Sequence, residues 1–297
     1  MTPPTVAITL GDAAGIGPEV VARTLADPAL PAGFRFKILG ESSEKIVPGR
    51  ATETSARLAM AALEEAATGC LSGRYAAMVT GPVQKETLAQ IQPSFIGQTE
   101  YLARACGRPD AEAVMVLTDP KLTVALCTHH CALREALLQL TPERIVHVAR
   151  QTGNFLRRLG IAAPRLALAG VNPHAGENGL FGDEETRILA PALATLRAEG
   201  HDITGPHSPD TVFPRALAGN FDAVVCAYHD QGLIPFKLVA FATGVNVTLG
   251  LPLIRTSPDH GTALDLAGKN GADHRSMLAA VQLACRLIAA TPPPAAA

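Results

Sequence analysis

Three short stretches place histidine directly after an apolar run. LTVALCTHH ends at His129 and His130, RLALAGVNPH ends at His174, and DAVVCAYHD ends at His229 and Asp230. A neutral imidazole is a common ligand of divalent transition metals, and a set of three leaves coordination positions open to a substrate. A single histidine after a strand is ordinarily a hydrogen-bonded loop residue. Three in equivalent positions point to a metal site, with either His129 or His130 serving from the adjacent pair. The third stretch continues as AYHDQGLIPFK, so a lysine, Lys237, follows eight positions after the histidine.

Groups suited to an anion lie elsewhere along the chain. TGPVQKE (80–86) and GQTEYL (97–102) each leave a loop and enter a helical pattern, and backbone N–H groups at a helix start favour phosphate or carboxylate. Lys237, Asn246 and Arg255 follow one another through FKLVAFATGVNVTLGLPLIR. LGDAAGIGPEV (10–20) has glycines at 11, 15 and 17, which is not the GxGxxG spacing of a dinucleotide fold. Such glycines say that backbone approaches something closely, a phosphate being one candidate.

These side chains need a scaffold that brings strand ends together. Apolar runs at 5–10, 36–39, 76–80, 113–117, 122–128, 165–170, 222–228 and 244–250 read as strands. Between them lie amphipathic helical patterns, among them 141–160, 184–200 and 274–290. The first of these has Thr141 as N-cap, Pro142 at its first position and Gly160 at its end. Strand–helix alternation predicts an α/β fold with a mainly parallel, twisted sheet covered on both faces. In such a sheet, ligands bind beyond the carboxyl ends of the strands.

Composition narrows the function classes. With 297 residues, 47% apolar and 18% charged, the chain can bury one large α/β unit or two modest lobes. A net charge of -2, three tyrosines and no tryptophan argue against nucleic acid and anionic membrane as partners. No run is long and apolar enough to span a membrane, and MTPPTVAITLGD lacks the pattern of a signal peptide. The six cysteines sit mostly in apolar contexts, as buried free thiols of a cytoplasmic protein do. Cys127 and Cys131 bracket Thr128-His129-His130, but no second CxxC-like element supports a zinc site there. The tail TPPPAAA is expected to be loose.

GDAAGIGPE, VTGPVQK, GQTEYLA, NPHAGENG, SPDTVF, YHDQGLIPFK and GVNVTLGLPLIRTSPDHGTALDLAGK together resemble the 4-hydroxythreonine-4-phosphate dehydrogenase family of vitamin B6 biosynthesis, over almost the whole chain. PDHGTALDLAGKNGAD (258–273) also resembles the adenine loop of the wider isocitrate and isopropylmalate dehydrogenase superfamily. The resemblance implies a two-lobed α/β/α homodimer with its active site between the lobes and near the partner subunit. The lobes would be 1–122 with 262–297, and 123–261. It implies His130, His174 and His229 as ligands of one divalent ion (zinc, magnesium, manganese or cobalt), His129 being the member of its pair that does not align. Substrate contacts fall on Gln98, Thr99, Lys237, Asn246 and Arg255, with Asp210, Asp230 and Lys237 close to the chemistry. His260, Gly261, Ala263 and Asp265 would hold the adenosine end of NAD or NADP.

The implied reaction is oxidation of 4-phosphohydroxy-L-threonine at its C3 hydroxyl, followed by decarboxylation to 3-amino-2-oxopropyl phosphate. Two departures stand out. Gln98 occupies the position of a histidine usual in the family, and glutamine donates a hydrogen bond without carrying charge. Ala13 replaces a usual proline in the first glycine loop, a backbone matter. Related enzymes of the family oxidise 4-phospho-D-threonate, 4-phospho-D-erythronate or a cyclic dihydrodiol. Retention of Thr99, Lys237, Asn246 and Arg255 favours an acyclic phosphorylated hydroxy acid. A phosphate acyltransferase of related architecture is the alternative from another class, though it needs neither three histidines nor an adenine loop.

Overall fold

The computed structural model describes residues 2–41 and 46–290; the tail 291–297 expected to be loose lies outside them. Among the described residues the strands are β1 (Thr5–Thr9), β2 (Arg35–Leu39), β3 (Ala77–Thr80), β4 (Val114–Thr118), β5 (Thr123–Leu126), β6 (Leu166–Ala169), β7 (Ile203–His207), β8 (Ala223–Cys226), β9 (Val245–Leu249) and β10 (Arg255–Pro258). The apolar runs read as strands all appear, shifted by a residue or two at their ends.

The chain forms two compact units, one running to Ala113 and resuming at Ala242, the other Val114–Phe241. The expected division, 122/123 and 261/262, falls later at both points. β4 pairs antiparallel with β5 and so belongs with the central unit, while β9 pairs antiparallel with β10, which in turn pairs with β3.

In the first unit the strand order is β2-β1-β3-β10-β9, parallel except for the last pair. Its core packs Ala7 and Met78 against the helix Glu53–Leu71, through Ala56, Leu63 and Ala66. In the central unit the order is β4-β5-β8-β6-β7, parallel except for β4 with β5. β4, β5, β6 and β8 are buried along their whole length, as strands covered on both faces must be. The helix Pro142–Arg158 starts as its sequence dictates: Thr141 Oγ1 accepts the Arg144 N–H at 3.2 Å, and Pro142 follows the cap. The helix expected over 184–200 opens with a π turn, Glu185–Leu189, ahead of Pro191, whose missing N–H cannot complete a regular turn.

Two strands escape a hydrophobic reading. β7 is ITGPH, interrupted by Gly205 and Pro206. β10 is RTSP, polar yet buried throughout, because its side chains find partners inside: Thr256 Oγ1 donates to the Ala280 carbonyl, and Arg255 is bonded as described below. Among the described residues, no helix is long and apolar enough to cross a membrane.

Candidate metal and anion-binding sites

β5, β8 and β6 are neighbours and parallel, so the residues that follow them leave the central unit at one edge. After β5 come His129 and His130, whose rings meet edge to face with centroids 5.1 Å apart. His130 takes φ 53°, a left-handed conformation that costs a side-chain-bearing residue energy and is concentrated at functional sites. After β8, Tyr228 caps the helix His229–Ala240. This helix lies close on the sheet because residue 232 is glycine: a Cβ there would come within 2.9 Å of Leu126 Cδ2 and 3.1 Å of Cys226 Sγ. His229 Nδ1 shares a 2.6 Å hydrogen bond with Asp230 Oδ1. With the carboxylate accepting from Nδ1, the Nε2 lone pair becomes the ligand atom, the usual orientation of a metal-binding histidine.

His174 follows β6 in an unusual turn. His174, Ala175, Gly176, Glu177 and Asn178 all have positive φ, between 42° and 79°. Each non-glycine residue there costs roughly 1–2 kcal/mol, so the turn must be held from outside. Glu185, buried, does so: its Oε1 accepts the N–H groups of Val171 and Asn172, both at 2.8 Å, and its Oε2 accepts Asn172 Nδ2 at 3.0 Å. Asn172 Nδ2 also reaches Glu184 at 2.7 Å, and this bond lowers the Glu184 carboxyl below its usual range. His174 Nδ1 pairs with Glu177 Oε2 at 2.9 Å, which raises the imidazole pKa, with the nearby charge of Asp210 adding to it. Asp210 itself accepts a 2.6 Å bond from Ser208 Oγ.

His130 and His229 approach each other with ring centroids 6.0 Å apart. Both line a cavity of about 390 Å³ together with Thr128, His129, Cys131, Tyr228 and Asp230. His174 is turned toward Glu177 and Phe181 within its own loop, and the ligand atoms of His130, His174 and His229 are not all within 4.8 Å of one another. The donor types and the carboxylates that orient two of them fit a divalent ion. Lys237 lies two turns along the helix from His229, half-buried. Cys127 is buried, and burial pushes its thiol up to about 12, against the thiolate that a cysteine zinc ligand must be.

In the first unit the outstanding group is Arg255, 3% exposed. Its Nε and Nη2 donate to Thr80 Oγ1 at 3.0 and 2.8 Å, and Nη1 donates to Thr248 Oγ1 at 3.0 Å and Asn246 Oδ1 at 3.4 Å. Nη2 also reaches Gln98 Oε1 at 3.4 Å. All of these acceptors are neutral. Burial lowers its pKa to about 10, the charge of Glu100 opposing the shift, so the guanidinium is still a cation at neutral pH. A buried cation whose hydrogen-bond acceptors are all neutral is costly, and an incoming anion adds a charged partner. Gln98 donates its amide to the Gly81 carbonyl at 3.0 Å, and Thr99 is buried in the first turn of the helix Gln98–Ala105. Gln98 therefore braces the guanidinium with its oxygen while its nitrogen is held by backbone.

The glycines of GDAAGIG close on the protein's own chain. Added Cβ atoms would lie 2.1 Å from the Pro82 carbonyl oxygen at Gly11, 2.6 Å from that of Thr262 at Gly15 and 1.9 Å from that of Leu10 at Gly17. In the 258–273 loop, His260 Nδ1 lies 3.0 Å from the Gly261 carbonyl, while its Nε2 is buried without a hydrogen-bond partner. Ala263 takes φ 41°, Asp265 is exposed, and a Cβ at Gly261 would meet nothing within 4 Å. With Nδ1 donating to that carbonyl, Nε2 is an acceptor, and an orphaned acceptor beside open backbone fits a nucleotide, whose hydroxyls or exocyclic amine would donate to it. Sequence reasoning missed Glu177 and Glu185. Their signal was present in the acidic residues of NPHAGENG and of the following GDEE, but nothing in the order of residues shows which carboxylates turn inward.

The profile of the family described as pyridoxal phosphate biosynthetic protein PdxA matches residues 23–284. The 4-hydroxythreonine-4-phosphate dehydrogenase of Geobacter metallireducens is 42% identical, covering 96% of either chain. The D-threonate 4-phosphate dehydrogenase of Salmonella typhimurium is 40% identical, covering 95% of this chain and 98% of that one. Among solved structures, 4-hydroxythreonine-4-phosphate dehydrogenase from Klebsiella pneumoniae aligns with a TM-score of 0.79 at 39% identity, covering 96% and 99%. Isocitrate dehydrogenase from Methylococcus capsulatus aligns with a TM-score of 0.57 at 14% identity over 96% and 86%, a likeness of fold.

The Arg255 set predicts anion binding that calorimetry with inorganic phosphate can follow. Replacing Arg255 with Met should weaken phosphate binding at least about tenfold, the worth of one charged hydrogen bond. The cation persists below a pKa of about 10 and is lost above it. Wild-type affinity should therefore hold from neutral pH to about 9 and fall as pH passes 10. Phosphate binding unchanged in Arg255→Met would remove Arg255 from the site.

Proposed function

The chain belongs to the PdxA family of pyridoxal phosphate biosynthetic proteins, and from that premise we propose that it is a metal-dependent, NAD(P)-linked dehydrogenase of a phosphorylated hydroxy acid. The substrate is 4-phosphohydroxy-L-threonine, oxidised at C3 and then decarboxylated to 3-amino-2-oxopropyl phosphate. Two observations carry the reading: strand-end histidines oriented by carboxylates, and a buried arginine whose hydrogen-bond acceptors are all neutral.

His130, His174 and His229 would hold the divalent ion. When bound, the ion acidifies the alcohol and stabilises the charge left as carbon dioxide departs, while NAD(P)+ accepts the hydride. Asp230 and Glu177 keep Nδ1 of His229 and His174 occupied, so each ring presents Nε2. Arg255, supported by Gln98, Thr80, Thr248 and Asn246, binds the phosphate together with Thr99. Lys237, as a cation, neutralises the substrate carboxylate, and Asp210 takes the proton of the C3 hydroxyl, Asp230 being engaged with His229. His260, Gly261, Ala263 and Asp265 receive the adenosine end of the cofactor.

Oxidation of 4-phospho-D-threonate is the second reading. Gln98 keeps it open, because it stands where a histidine is usual in the family, its amide committed to Gly81 and Arg255. A relative at 40% identity also carries that activity in its name. Assembly as a homodimer is supported by an exposed apolar face: Ile234 and Leu238, one turn apart on the helix His229–Ala240, and Phe241, which caps its end, are 62%, 81% and 77% exposed. Six cysteines without a disulfide suit the reducing cytoplasm.

Metal-loaded protein should reduce NAD+ or NADP+ with one of the two phosphorylated acids, compared side by side by nicotinamide absorbance. His229→Ala should lose both bound metal and at least about a hundredfold in rate. Full metal content and full rate in that variant, or no reduction with either acid, would refute the assignment. In sedimentation equilibrium, Leu238→Glu should shift a wild-type dimer toward monomer; a wild-type protein that is monomeric at micromolar concentration would contradict the dimer.

A further inference from the structure

Gln231, in the HDQG stretch, belongs to neither the metal set nor the anion set. It is nevertheless buried, and both ends of its amide are used. Its Oε1 accepts the Ala227 N–H at 2.7 Å, and its Nε2 donates to the Gly170 carbonyl at 2.6 Å. Gly170 and Ala227 each follow directly on β6 and β8. The ladder between those strands runs Leu166↔Ala223, Ala167↔Val224 and Leu168↔Val225 and then stops. Beyond it the chains part, and a side-chain amide stands between them where a peptide group would have paired. It satisfies one donor and one acceptor that would otherwise be left buried and unpaired.

The same bridge continues on its other side. Thr128 Oγ1, immediately before His129 and His130, donates to the Ala227 carbonyl at 2.8 Å. Gly170 in turn donates its N–H to the His207 carbonyl at 2.8 Å. Thr128, Ala227, Gln231 and Gly170 thus form one continuous line of hydrogen bonds across three strand ends. The residues that leave those ends are His130, His229 and His174.

We propose that Gln231 is a positioning residue for the histidine set, its carboxamide fixing the spacing between the strand ends that carry His174 and His229. This rests on the metal reading given above. A longer or shorter bridge would move two ligand-bearing segments relative to each other without touching either ring. A role confined to satisfying backbone groups would instead affect melting and leave metal affinity in the folded protein alone.

Metal-free protein titrated with zinc by calorimetry, well below its melting temperature, separates these accounts. Gln231→Asn shortens the bridge by one methylene, and Gln231→Leu keeps the bulk while removing both bonds. Each should weaken zinc binding ten- to a hundredfold, the range seen when supporting partners of metal ligands are lost. Phosphate affinity at the Arg255 set should stay within twofold. If Gln231→Leu does not fold, Thr128→Val breaks the same line at its other end with shape kept, and the same loss is expected. Zinc affinity within twofold of wild type in a folded Gln231 variant overturns the proposal. A wild-type protein that binds no zinc overturns the metal reading and this proposal with it.

Discussion

Parallel ladders stop at the carboxyl ends of their strands, and the backbone groups just beyond them still need partners. In this protein those partners are buried polar side chains, and the residues with functional chemistry are held by them. Gln231 and Thr128 bridge the ends of β5, β8 and β6, and Glu185 gathers the amides that follow β6. Thr80, the last residue of β3, accepts two bonds from Arg255. Because these groups are buried, each bond is hard to give up: losing one partner leaves the other desolvated at a cost of about 1–3 kcal/mol. The sheet edge is therefore stiff where ligands must be placed accurately.

Stiffness there offsets conformations that would not persist alone. The His174–Asn178 turn and His130 both occupy left-handed backbone, and each projects a proposed metal ligand. Arg255 is a second case of the same kind. A charged guanidinium whose hydrogen-bond acceptors are all neutral is poorly compensated, and the proposed phosphate would add a charged partner. In both places the fold holds an arrangement that the proposed ion or anion would complete.

The scaffold was largely legible in the sequence because most of its strands are short, apolar and fully buried. β7 and β10 were not, for opposite reasons. β7 is broken by Gly205 and Pro206, whereas β10 is a polar strand made burial-tolerant by bonds to residues far away in sequence, such as Thr80 and Ala280. The candidate site divides in the same way. Its histidines announced themselves by following apolar runs, and Lys237, Asn246 and Arg255 by their clustering. Glu185, Glu177 and the bridging role of Gln231 depend on which way a loop turns, and the sequence pattern carries no mark of that. The glycines of GDAAGIG show the converse: a motif suggestive of phosphate proved to be close packing against Pro82, Thr262 and Leu10.

The central claim is that the three strand-end histidines hold one divalent ion. Anomalous diffraction from crystals grown with zinc tests it most directly. The account predicts one strong peak in the central unit, about 2.0–2.1 Å from imidazole nitrogens of His130, His174 and His229. A peak bonded to Cys131 in place of these rings, or no peak near His229, would contradict it.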